Sequence, residues 1–280
     1  MGWKSFIPTN IKDGVKLIFN IKAKSDSKSK HSNPYEILNL FPRFTPTETV
    51  LFDKKIKIVD SASFLFIFNE IFKKEIYKFR ALNESPYIID AGANIGLASI
   101  YFKKLFPNSE IVAFEPDSTI FETLEFNIQS FEFNNITLVK KALWKEETEL
   151  TFYHEGADGG RIDNSIKTNK TTVKTAILLK YLNKPVDFLK IDIEGAEFEV
   201  LSSSFNQLTN VHNIFVEYHS FAGKNQQLPE LLQLLKNSGF RLYVSSPGLE
   251  SPQPLLNIKT YEGMDMQLNI YGFRDENTTH

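Results

Sequence analysis

From residue 87 onward, short apolar runs alternate with amphipathic stretches. Tyr87–Asp90, Glu110–Phe114, Ile136–Lys140, Phe188–Ile193 and Ile214–Tyr218 read as strands. Leu150–His154 reads as an edge strand, and Phe240–Ser245 with Met266–Phe273 as a final strand pair. Between them, Leu97–Leu105, Thr119–Gln129, Thr175–Leu182, Ala196–Leu201 and Leu228–Ser238 read as helices, the last closed by Gly239. Strands alternating with helices predict a parallel sheet covered on both faces. Such sheets bind ligands at the carboxyl ends of their strands, at the switch point. Upstream, Val50–Asp60 predicts a hairpin around Asp53-Lys54-Lys55. Ser61 or Ser63 then caps a helix rich in Phe and Ile that runs through about Phe79. Pro34, Pro42 and Pro46 favour an extended wrap over 34–48.

The first residues differ in kind. Ile7, Ile11, Val15, Ile18 and Phe19 fall at helical spacing with lysines between them, and 22–34 is a Lys/Ser/Asp linker. The chain thus divides into a basic N-terminal helix and linker (1–33), a cap of hairpin and helix (34–85) and a main domain (86–280). Residues 1–30 hold seven lysines and two aspartates, a balance of +5, which leaves −7 for the rest of a chain whose net charge is −2. That segment suits either a docked amphipathic helix or peripheral contact with an anionic membrane. The acidic body has only five arginines (Arg43, Arg80, Arg161, Arg241 and Arg274), which argues against a nucleic-acid partner. With 280 residues, 42% hydrophobic, the chain can bury its own core and is not disordered. Zero cysteines exclude thiol catalysis, iron–sulfur clusters and Cys-based zinc sites. No apolar run approaches the length of a membrane span, and a cytoplasmic location is expected.

The strongest local signal is Ile88-Ile89-Asp90-Ala91-Gly92-Ala93-Asn94-Ile95-Gly96, a buried strand, a Gly-rich turn and a helix start. The spacing is GxxxG rather than the GxGxxG of dinucleotide sites, with Asn94 at the middle glycine position. Asp90, two residues before Gly92, would repel a diphosphate and suits a cationic amino-acid ligand. The next strand ends Phe114-Glu115-Pro116, where Glu115 can accept hydrogen bonds from both hydroxyls of a ribose. A nucleoside with an amino-acid tail and no phosphate satisfies both acids, and S-adenosylmethionine is that molecule.

These segments resemble the FkbM family of S-adenosylmethionine-dependent methyltransferases. The match rests on IIDAGANIGLAS (88–99), VAFEP (112–116), KKAL (140–143), FLKIDIEGAEFEVL (188–201) and VEYH (216–219), in that order. It implies an α/β class I methyltransferase (Rossmann-like) sheet of seven strands, order 3-2-1-4-5-7-6 with strand 7 antiparallel, here with an N-terminal helical extension. It also implies O-methylation, often of a sugar hydroxyl in a glycan, glycolipid or natural product. A protein or small-metabolite acceptor, or a non-catalytic binding protein of the same fold, are the alternatives. Carried over by position, Asp90, Gly92, Ala93, Asn94, Gly96 and Asp192 would line the methionine and ribose side. Glu115 would hold the ribose, with Pro116 and Asp117 beside it, and Lys141-Ala142-Leu143 would meet the adenine. Trp144 either covers that ring or simply packs.

Asp192 and Glu194 close the strand Phe188–Ile193; Glu217 and His219 close Ile214–Tyr218 and share a face, being two residues apart. A sugar hydroxyl is a poor nucleophile at neutral pH, so its proton must be removed or its pKa lowered. His219 is the first candidate base, oriented by Glu217. The alternative is a hard divalent cation, Mg or Mn, on Asp192, Glu194 and Glu217. His154 is a weaker base candidate. Glu155–Ser165, glycine-rich and polar, suits a lid over the acceptor, with Arg161 and Asp163 as sugar contacts.

Overall fold

In the computed structural model, the described residues are 38–153, 161–162, 170–248 and 250–274. The predicted N-terminal helix and linker, His154 and all but Arg161–Ile162 of the glycine-rich loop lie outside them. A hairpin of β1 (Thr47–Leu51) and β2 (Lys54–Ile58) leads into α1 (Ser61–Phe68) and one π-helical turn, Asn69–Lys73. The cap of α1 is Asp60, not the serines proposed: its side chain accepts from Ser63 N at 2.9 Å and also holds Phe44 N and Arg43 Nε. The helix ends at Lys73 rather than Phe79, where Glu75 takes a left-handed φ of 56°.

The main sheet comprises β3 (Tyr87–Ala91), β4 (Glu110–Phe114), β5 (Ile136–Val139), β10 (Val186–Ile191), β11 (Val211–Phe221), β12 (Arg241–Ser245) and β13 (Met264–Phe273). Their spatial order is β12-β13-β11-β10-β3-β4-β5. In order of appearance within the sheet this is 6-7-5-4-1-2-3, and β13 alone runs antiparallel to its neighbours. The order and the reversed last strand are those of the class I methyltransferase sheet. Helices α2 (Leu97–Leu105) and α3 (Ser118–Ser130) follow β3 and β4; α4 (Glu197–Ser203) and α5 (Leu228–Asn237) follow β10 and β11.

Every residue of β3 is buried, as expected of a central strand covered on both faces. The period of two divides its side chains between two cores. Ile88 packs with Phe102, Phe188, Phe215 and the phenylalanines of α1. Ile89 and Ala91 pack with Leu189, Ile191, Val200 and Leu231 on the other face. The hairpin and α1 therefore belong to the first core, joined through stacked Phe68 and Phe72 to Tyr101 of α2.

One element differs in kind from the pattern. Thr175–Leu182 is not a helix. Lys170–Ala176 is strand β9, followed by a 3₁₀ turn at Leu178–Tyr181. Thr171, Thr172 and Val173 are β-branched and pair with β7 (Glu149–Tyr153), which also pairs with β8 (Arg161–Ile162). With β6 (Ala142–Leu143) these form a second, four-stranded sheet. Among the described residues no helix is long and apolar enough to cross a membrane.

Candidate active site

A cavity of about 550 Å³ opens at the carboxyl ends of β3, β4, β10 and β11. Its floor is the turn after β3. Gly92 has φ +80°, and a Cβ there would stand 1.7 Å from the carbonyl oxygen of Asp192. Only glycine lets this turn lie against the chain leaving β10. Asn94 takes a left-handed φ of 49°, and its backbone amide donates to Glu115 Oε2 at 3.0 Å. The other oxygen of Glu115 accepts from Asp117 N at 2.9 Å. Burial pushes the Glu115 carboxyl up to about 8, against the opposing pull of these amides. Asn127 of α3 secures the turn from behind. Its Nδ2 donates to Ile95 O and Lys57 O, and its Oδ1 accepts from Lys57 N.

Of the residues read as cofactor-binding, Gly92, Ala93, Asn94, Glu115, Pro116, Asp117, Lys141, Ala142, Leu143 and Asp192 line this cavity. Two members of the expected set do not. Asp90 is fully buried beneath the turn, where Oδ2 accepts from Ser99 Oγ at 2.7 Å and Oδ1 has only Lys190 Nζ, at 3.5 Å. It supports the wall from below. Gly96 starts α2, and a Cβ there would crowd Leu124 at 2.8 Å, so its role is helix packing. Asp117, besides facing the cavity, caps α3 by accepting from Thr119 N and Ile120 N. Trp144 is half-buried against the second core and does not line the cavity.

The acidic residues converge, but not in the arrangement expected. The β10 strand ends at Ile191, and Glu194 and Gly195 turn the chain with left-handed φ of 55° and 99°. This turn brings Asp192 and Glu194 to the cavity beside Glu217. His219 shares the face of Glu217 but sits behind the carboxylates, 4% exposed and outside the cavity wall. Its Nε2 lies 3.7 Å from Glu194 Oε2 and 3.8 Å from Glu217 Oε1. The residue that orients it is Glu197 of α4, whose Oε1 is 3.0 Å from Nδ1 and also accepts from Gly195 N. Glu217 is held instead by the side-chain amide of Gln267 on β13.

Burial alone would lower the pKa of His219, but the charges of Glu194, Glu197 and Glu217 overcome it and raise it well above the usual imidazole range. Burial, with Asp192 nearby, pushes Glu217 up to about 7. Burial likewise raises Glu194 well above the carboxylate range. Lys190, buried in β10, reaches Asp192 at 3.1 Å and Gly92 O at 2.8 Å; these acids keep it charged against the cost of burial. Asp192, Glu194 and His219 each offer one donor atom within 4.8 Å of one another. This is a different ligand trio from the expected Asp192, Glu194 and Glu217.

Sequence reasoning did not single out Lys190, Glu197 or Gln267. Lys190 had a signal, a lone cation inside the apolar run Phe188–Ile191. Glu197 stands within the motif 188–201 and Gln267 had no signal; only chain crossings bring them to His219 and Glu217.

The family model described as "Methyltransferase FkbM domain" matches residues 90–242. "Methyltransferase 1" of Beauveria bassiana is 28% identical over 214 residues, covering 67% of this chain and 85% of that protein. "Methyltransferase sdnD" of Sordaria araneosa is 30% identical over 216 residues, covering 62% of this chain and 81% of that protein. "2-O-methyltransferase NoeI" of Sinorhizobium fredii is 25% identical over 199 residues, covering 62% and 80%.

Proposed function

The chain belongs to the FkbM family of S-adenosylmethionine-dependent methyltransferases, and from that premise we propose that it O-methylates a sugar hydroxyl of a glycan, glycolipid or natural product. The observation that carries the reading is Glu217, a partly buried carboxylate on the cavity wall whose pKa is pushed up to about 7. A general base works best when its pKa lies near the working pH. Support for oxygen as the acceptor atom comes from the relative named a 2-O-methyltransferase. Support for a sugar comes from the cavity lining, which combines the polar side chains of Arg43, Ser63, Glu70 and Glu262 with the half-exposed rings of Phe66 and Tyr261.

The residues present fit the methyl donor. The turn after β3, which Gly92 lets pack against the chain leaving β10, lines the cavity, and Glu115 stands at the end of β4 where ribose hydroxyls would meet it. Lys141, Ala142 and Leu143 form the adenine side, and Asp192 faces the amino-acid tail. S-adenosylmethionine, when bound, supplies a methyl group on a positive sulfonium, and its transfer removes that charge. The chain's own residues exclude water, align the acceptor and take its proton. Glu217 accepts that proton, while Gln267 fixes the direction of its carboxylate. His219 is a positioning residue behind Glu217, held by Glu197, and its positive charge favours the ionised, competent form of the base. This inverts the roles read from spacing alone.

A second reading keeps a divalent cation on Asp192, Glu194 and His219. It is favoured by their mutual approach and opposed by Lys190, whose ammonium already neutralises Asp192. Calorimetric titration with S-adenosylmethionine, S-adenosylhomocysteine and NAD, with Mg or with EDTA, tests the donor site. Binding of the adenosyl ligands that weakens in Glu115→Ala is expected. Labelled methyl transfer to a panel of oligosaccharides, peptides and small metabolites then tests the acceptor. Transfer to peptides alone would overturn the sugar reading, no transfer at all would favour the binding-protein alternative, and activity lost to EDTA and restored by Mg would favour the cation.

A further inference from the structure

Buried polar atoms are normally paired, by the protein or by something bound to it. Asn269 of β13 breaks that rule. It lines the cavity and is 4% exposed, yet its Oδ1 accepts no hydrogen bond. Among the described residues it is the one cavity-lining side chain that leaves a buried atom unpartnered. An acceptor left in this state costs stability that a donor on a ligand would restore. The terminal torsion of asparagine is soft, so the amide can turn Oδ1 onto such a donor.

A second open acceptor stands nearby. Glu70, in the π-helical turn that follows α1, lines the same cavity with its side chain 10% exposed. Its Oε1 takes Lys74 Nζ at 2.6 Å and Asn69 Nδ2 at 3.5 Å, whereas Oε2 accepts no hydrogen bond from the described residues. Tyr271 of β13 locates the two groups. Its hydroxyl is hydrogen-bonded to the Asn269 side chain and lies in the field of both Glu70 and Glu217. Asn269 is also the register partner of Glu217, and the Cβ atoms of such opposite residues are about 5 Å apart. Neighbouring substituents of one ring can bridge that gap. The amide of Gln267, two residues along β13, is already spent on Glu217. This part of the wall therefore offers oxygens that accept, and it complements a ligand that donates. Its carboxylates would repel an anionic substituent.

We propose that Asn269 and Glu70 form a specificity subsite for the methyl acceptor, which takes a hydrogen-bond-donating group, a hydroxyl or an ammonium, on the atom next to the hydroxyl whose proton Glu217 removes. The molecule methylated is then a diol or an amino alcohol, and one whose neighbouring group is anionic or cannot donate is rejected. The inference rests on the O-methyl reading and adds to it what the site recognises beside the reacting oxygen.

The test is titration of the full chain, loaded with S-adenosylhomocysteine, followed by ligand-observed NMR. The probes are cyclohexanediol, aminocyclohexanol and methoxycyclohexanol, each with its two substituents trans on adjacent carbons. The parent chain should prefer the diol or the amino alcohol to the methoxy compound by at least about three-fold, the worth of one hydrogen bond. The preference should vanish in Asn269→Leu. Glu70→Gln then distinguishes the donors: a loss greater for the amino alcohol than for the diol identifies an ammonium, and equal losses identify a hydroxyl. Both variants should keep the S-adenosylhomocysteine affinity of the parent. Should Asn269→Leu fold poorly by its thermal midpoint, Glu70→Gln decides alone. Equal binding of the three probes, binding of none, or a preference left intact by either substitution would overturn the proposal. A preference that obeys both variants in a chain that methylates no hydroxyl would instead strike the O-methyl reading and leave the subsite standing.

Discussion

Replacing His219 by glutamine separates a base from a residue that tunes one. In the structure His219 Nε2 stands 3.8 Å from Glu217 Oε1, and its charge holds the Glu217 pKa down to about 7. Loss of an opposite charge at this range raises a carboxyl pKa by about 1 to 3. The acidic limb of kcat/KM against pH should therefore move from about 7 to between about 8 and about 10. The sign follows from the chemistry: the base works ionised, and the variant makes ionisation harder. At pH 7 the ionised fraction falls from about one half to between about one tenth and one thousandth, so activity drops about 5-fold to 500-fold. Activity should return on raising the pH. The assay is labelled methyl transfer from S-adenosylmethionine across the pH range, with circular dichroism to verify folding. A folded variant that is inactive at every pH would show that His219 itself takes the proton. An unshifted limb would show that its charge does not act on the base.

Other expectations follow from single contacts. Gly92→Ala cannot place its methyl group without moving the carbonyl of Asp192, and should lose S-adenosylhomocysteine binding by calorimetry; retained affinity would mean the cradle is elsewhere. Asn127→Ala removes three hydrogen bonds that tie the hairpin and the Gly92 turn to α3, and should cost about 2–4 kcal/mol in urea unfolding. Lys190→Met leaves Asp90 and Asp192 without their buried cation, and should cost about 3–5 kcal/mol. A cost near zero would show that the buried ion pairs do not hold the site together.

Much of the main sheet could be read from local pattern, because each strand is a short apolar run and each crossing helix carries its own period. Tyr87–Ala91 and Leu97–Leu105 lie where those runs place them, and the glycines of the turn between β3 and α2 follow from backbone geometry within a few residues. Pairing decided the rest. Thr175–Leu182 has a helix-compatible pattern, but Thr175 and Ala176 belong to β9 because β6 pairs with them and β7 pairs with the residues just before, both from earlier in the chain. The period of two put Glu217 and His219 on one face and could go no further. Which of them meets the cavity is decided by Gln267 on the antiparallel β13, by Glu197 at the start of α4 and by the left-handed turn at Glu194. A side chain's direction is local, whereas its burial, its partners and the charge it keeps depend on elements far along the chain, and only the assembled sheet brings those together.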